Sequence, residues 1–106
     1  MNTKFELLVD DTIEVFGRKL FRVKAKINSG TVEAGELGGY IEKEENLSEN
    51  GDAWVSGDAR VSDDAMVYDN ARLYDDARVY DNARVYGNAR VSGDARVYGN
   101  AWVYGE

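Results

Sequence analysis

Apolar positions in the second half of the chain recur with a step of six. Ala stands at 53, 59, 65, 71, 77, 83, 89, 95 and 101. Two residues after each comes an aliphatic side chain: Val55, Val61, Val67, Leu73, Val79, Val85, Val91, Val97 and Val103. Nine hexads fill residues 53–106 without a slip. The residue after Ala is Arg in six of the nine, otherwise Trp54, Met66 or Trp102, and the residue after the aliphatic is Tyr in six and Ser in the rest. Ala-Arg-Val-Tyr therefore alternates inward and outward, the period-two signature of a strand with one buried face. The last two positions are Gly or Asp followed by Asn or Asp, with Glu106 closing the chain. Such pairs tolerate the positive φ of a tight bend. Each hexad thus predicts a short strand and a bend. A strict six-residue step keeps no stripe on one side of an α-helix. Four-residue strands joined by unvarying bends also disfavour a hairpin meander.

The first half lacks this regularity. Lys4–Val9, Thr12–Phe16 and Lys19–Ile27 read as strands, with a turn at Gly17-Arg18 and a stop at Asn28-Ser29-Gly30. Arg18, Lys19, Arg22, Lys24 and Lys26 form a basic stripe, which ordinarily marks the solvated face of a strand. Stepping back by six from Ala53 gives Leu47, Ile41 and Gly35. The coil is therefore expected to begin in degenerate form near residue 35, with Leu37 also inward and with Lys43 and Glu49 interrupting the inward positions. The organisation expected is a strand and hairpin cap over 1–34, entry turns over 35–52 and regular repeats over 53–106.

The hexad Val79-Tyr80-Asp81-Asn82-Ala83-Arg84 and its eight sisters resemble the repeat of the hexapeptide-repeat left-handed β-helix family. That resemblance implies an all-β fold: a left-handed parallel β-helix of triangular section, about three regular coils long, preceded by a small β-rich cap. The hand and the triangular section come from the resemblance alone. With three hexads to a coil, residues 18 apart stack at about 4.8 Å, giving a prism about 14 Å tall. The segment from Leu37-Gly38-Gly39-Tyr40-Ile41 to Gly51-Asp52-Ala53-Trp54-Val55 also resembles the entry of repeat proteins common in bacterial genomes and prophages, mostly of unassigned function.

Composition narrows the chemistry. The chain has 106 residues, 43% hydrophobic and 31% charged, enough for one small domain with a core. It contains neither Cys nor His, which removes disulfides, a thiolate nucleophile, the usual general base and the commonest metal ligands. The acyltransferases that make up the best-known hexapeptide-repeat proteins use a histidine base, so their activity does not carry over. No enzyme activity and no cofactor are expected. Asp58, Asp76 and Asp94 stack at one corner, yet a hard cation needs six or more converging oxygens, so no metal site is expected there. A net charge of −7 opposes nucleic-acid binding through a general positive field. No 18-residue apolar run exists, and Met1–Asp10 lacks the basic start and apolar core of a signal peptide. The expectation is a cytoplasmic protein of a bacterial host cell, encoded by the bacterium or by a phage, with no membrane contact.

What remains is interaction with protein. Arg60, Arg78 and Arg96 stack on one face beside Tyr80 and Tyr98, and Asp58, Asp75, Asp76 and Asp94 frame it. Arg, Tyr and Trp are enriched at binding hot spots. These residues are the expected partner-binding surface. In a narrower form of this reading, a phage-encoded inhibitor covers a basic nucleic-acid-handling defence enzyme of the host, such as a CRISPR effector. Trp102 and Tyr104 lie on the last coil, where an open sheet edge invites pairing. They are expected to take part in self-association as a dimer or trimer, and the alternative function is a structural β-helix that assembles in a phage particle or bacterial polymer.

Overall fold

A computed structural model of the chain describes residues 2–105, so Met1 and the closing Glu106 lie outside it. The repeat winds as the six-residue step requires. Three hexads complete one coil, and like positions 18 apart pair in parallel, in register. Strands β4 (Trp54–Val55), β7 (Arg72–Leu73) and β10 (Arg90–Val91) form one wall. Strands β5 (Arg60–Val61), β8 (Arg78–Val79) and β11 (Arg96–Val97) form the second. Strands β6 (Met66–Val67), β9 (Arg84–Gly87) and β12 (Trp102–Gly105) form the third. Each coil donates backbone N–H groups to the carbonyls of the next, as from Arg60 to Ala77 and from Arg78 to Ala95, both at 2.9 Å. The Ala and Val side chains fill the axis, where Ala59, Val61, Ala77 and Val79 are wholly buried.

The bends follow from one backbone torsion. Their first residue is left-handed throughout: Gly57, Asp63, Asp69, Asp75, Asp81, Gly87, Gly93 and Gly99 have φ between 58 and 65°. Gly adopts this region freely and Asp more readily than most residues. The aspartates add a second contact. Asp63 accepts the N–H of Asp81 at 3.0 Å, Asp69 that of Gly87 at 3.1 Å, Asp75 that of Gly93 at 3.1 Å, and Asp81 that of Gly99 at 3.0 Å. Asp75, one of the expected partner-binding residues, thus has its carboxylate turned along the stack.

A fourth, irregular coil precedes the regular three. Strand β3 (Leu37–Ile41) pairs in parallel with β5, setting Ile41 against Val61, and Leu47 bridges Val67. Both therefore occupy the valine position of the repeat, two residues away from the alanine position that stepping back by six assigns them. The extra two residues lie between Leu47 and Gly51, since Asp52 regains the regular partner, the carbonyl of Asp69. Gly39 takes the alanine position against Ala59, where a Cβ would collide with the Ala59 carbonyl oxygen. Leu37, expected inward, is 51% exposed. A one-residue bulge in β3, opposite Arg22 to Lys24, reverses the alternation before Gly39 and turns it outward. Lys43 and Glu49 do not project into the axis. The buried polar group of this coil is Asn46, whose Nδ2 donates to the carbonyls of Asp63 and Ala65 while its Oδ1 accepts from the N–H groups of Glu42 and Lys43.

The cap is a single long hairpin. Strand β1 (Phe5–Val15) is continuous where two strands are expected, because three extra residues, Val9-Asp10-Asp11, bulge out between Leu8 and Thr12 without breaking its pairing to β2 (Arg18–Ala25). The turn is Phe16-Gly17, with φ of 50° and 80°, one residue earlier than expected. Both positive torsions suit the twist of a two-residue hairpin. Strand β2 pairs antiparallel with β3, so hairpin and second wall make one six-stranded sheet in the order β1-β2-β3-β5-β8-β11. Phe5, Val23 and Ala25 join the axial core and close its first end. Lys4 is buried beside them and donates to the carbonyls of Ser48 (3.0 Å) and Ala53 (2.6 Å). Burial pushes its ammonium down to about 8, against the pull of Asp52.

Candidate functional site

The hairpin does more than plug the axis: its tip overhangs the outer surface of the second wall. Val15, Phe16, Arg18 and Leu20 stand on one side, and Arg60, Ser62, Asp63, Arg78, Tyr80, Asp81 and Arg96 on the other, around a groove of about 480 Å³. Arg18 holds the tip in place by ion pairs to Asp63 and to Glu42 (3.3 Å). At the root, Arg22 lies 4.5 Å over the Tyr40 ring, bonds its hydroxyl and the Gly38 carbonyl (2.8 Å), and pairs with Asp11 at 2.8 Å. The basic stripe is therefore not a uniformly solvated face, since Arg18 and Arg22 are its structural members.

The groove floor carries the expected arginine column. Arg60, Arg78 and Arg96 are consecutive rungs of one parallel ladder. Rungs sit about 4.8 Å apart. Like charges facing each other across a ladder destabilise it. Among the described residues, none of the three has a carboxylate within ion-pair distance, although Arg18 and Arg22 both do. Tyr80 and Tyr98 stack beside the column at 5.5 Å between centroids and 11° between planes. The wall opposite is headed by Phe16, 99% exposed and held at a φ of 50°. A bulky residue in the left-handed region is an outlier that costs about 1–2 kcal/mol. The placement of Phe16 in this groove has no counterpart in the sequence pattern.

The other expected residues divide. Asp58, Asp76 and Asp94 are exposed and form one column at the bend that leads into the second wall, two residues before each arginine. Trp102 and Tyr104 lie on the third wall, away from the groove. They are 64% and 65% exposed, and Tyr104 continues a stack with Tyr86 (5.4 Å) and Tyr68, against which Trp102 packs edge-on. Tyr86 is sandwiched between Tyr68 and Tyr104, while Tyr104 ends the stack and keeps much of its ring exposed beside Trp102. Among the described residues, no group of three or more Asp or Glu side chains is arranged to hold a metal ion, and no helix is long and apolar enough to cross a membrane.

A model of the YdcK beta-solenoid repeat matches residues 59–75, 71–87, 77–91, 83–95 and 89–105. The match falls on the regular coils and, with the stacked walls, supports a repeat β-helix. The resemblance to the hexapeptide-repeat family in particular rests on the sequence pattern alone. No curated protein matches the chain.

Proposed function

We propose that this chain is a non-enzymatic protein-interaction module whose binding surface is the groove between the hairpin tip and the second wall. One observation carries the reading: three stacked arginines with no carboxylate partner among the described residues share a groove with a fully exposed, conformationally strained Phe16. The matching ligand is a protein surface bearing carboxylates beside an apolar contact for Phe16. Arginine favours such contacts because its planar fork meets a carboxylate through two hydrogen bonds. Fluorescence anisotropy with a short poly-glutamate peptide tests this. The intact chain binds, Arg78→Glu weakens binding by about tenfold or more, and an oligothymidylate of equal charge binds less well. A stronger response to the oligonucleotide would reassign the groove to nucleic acid.

A narrower reading uses a second surface, the acidic corner in place of the groove, and makes the module a phage-encoded inhibitor of a host nucleic-acid-handling enzyme, such as a CRISPR effector. The support for this form is the acidic balance of −7 and the exposed column of Asp58, Asp76 and Asp94, which presents evenly spaced anions to a basic channel. The alternative, a solenoid that assembles with itself, is supported by the exposure of Trp102 and Tyr104 at the edge of the third wall.

A further inference from the structure

Two columns of unmixed charge run the length of the three regular coils. Among the three bend columns, only Asp58, Asp76 and Asp94 keep Asp in every coil, the others reading Asp64, Asn82, Asn100 and Asp52, Asn70, Asn88. Among the three walls, only the second keeps Arg in every coil, at 60, 78 and 96. The two columns are neighbours, yet among the described residues no ion pair joins them within the chain. The aspartates stand exposed on a corner of the prism, a ridge, while the arginines line a groove. The ridge and the arginine column of the groove have opposite charge and the same pitch of about 4.8 Å, and Asp63 on the groove's rim is already paired with Arg18.

We propose that the groove receives the Asp58/Asp76/Asp94 ridge of a second copy of this chain. This rests on reading the groove as a protein-binding surface, and it names the occupant. A two-fold axis through the middle coil sets Asp76 of each copy against Arg78 of the other, Asp58 against Arg96, and Asp94 against Arg60. It also sends the two hairpins to opposite ends. The pitch selects this partner. Alternate carboxylates on an extended peptide lie about 6.6–6.8 Å apart, whereas a second solenoid meets the arginines rung for rung. Phe16 in the groove and Tyr98 beside the arginine column are both exposed and available for the second copy to cover.

Light-scattering mass at high micromolar concentration in about 0.15 M salt tests the proposal. The expected mass is twice 11.8 kDa, falling to the single value in about 1 M salt. Arg78→Glu alone and Asp76→Arg alone are each expected to be monomeric, and an equimolar mixture of the two recovers the doubled mass because the reversed charges now face each other. If circular dichroism shows either variant unfolded, Arg96→Glu mixed with Asp58→Arg replaces the pair and also tests the antiparallel arrangement. A mass of 11.8 kDa for the unaltered chain, a dimer indifferent to both reversals, or a dimer lost only on Trp102→Ser and Tyr104→Ser would overturn the proposal. A monomer that still binds poly-glutamate through Arg78 would leave the protein-binding reading standing without this occupant. A monomer that binds no acidic peptide would remove both.

Discussion

The regular coils and the entry coil solve the same packing problem by different means. From residue 53 onward, Ala and Val repeat in register, and each rung pairs in parallel with its counterpart 18 residues away. Before residue 53, no two hexads match. There the axis is closed by Gly39 in place of Ala, by the amide of Asn46 in place of an apolar contact, and by the ammonium of Lys4 at the end covered by the hairpin. A repeat distributes its stability over many equivalent small contacts. An irregular end concentrates it in a few polar groups, each with several partners.

Substitutions that exploit this contrast separate the two regions. The largest effect is expected for Val79→Asp, which places an unpaired charge on the axis of the middle coil, where Val79 has no exposed surface. The expected loss is about 5 kcal/mol or more, enough to abolish the cooperative melt followed by circular dichroism. Next comes Asn46→Ala, which strands the carbonyls of Asp63 and Ala65 and the N–H of Lys43, while the N–H of Glu42 keeps its bond to the Val61 carbonyl. A cost of about 2–4 kcal/mol in urea unfolding is expected. Gly39→Ala drives a Cβ against the Ala59 carbonyl and is expected to cost about 2 kcal/mol. The reverse change in a regular coil, Ala77→Gly, is expected to cost only about 1 kcal/mol.

Lys4 makes the cap sensitive to pH. Its folded pKa of about 8 lies below the ordinary 10.5 because burial disfavours the charge. Between those values the unfolded chain holds more protons, so stability rises with pH across that window. A gain of about 1 kcal/mol from pH 8 to 9.5 is expected in urea midpoints, absent in Lys4→Met. The smallest effect belongs to the bends. Asp81→Ala loses the bond to the Gly99 N–H and keeps the unfavourable φ of 62°, for about 1 kcal/mol. Asp81→Gly loses the bond but relieves the torsion, and should cost less.

The stacking of residues 18 apart was legible in the sequence because an unbroken step of six admits few windings, and the arginine column follows from it directly. The groove was not. It exists because β2 pairs with β3 and brings a hairpin back over the second wall, a contact between residues some 40 or more positions apart that no local pattern encodes. Leu37 misled for a related reason: alternation predicts its side correctly only if no bulge intervenes, and one does. Asn46 and Lys4 gave no signal at all, since a polar residue that is buried and fully bonded looks in sequence like any surface residue.

The Arg60, Arg78 and Arg96 column, faced by Phe16, is the surface proposed to meet the partner. Amide chemical-shift mapping with the poly-glutamate peptide addresses it most directly. The account predicts that the perturbed residues cluster at the hairpin tip and along the second wall, around Phe16, Arg60, Arg78, Arg96 and Tyr98, and that Arg78→Glu silences them together. Perturbation centred on Trp102 and Tyr104, or spread evenly over the surface, would contradict it.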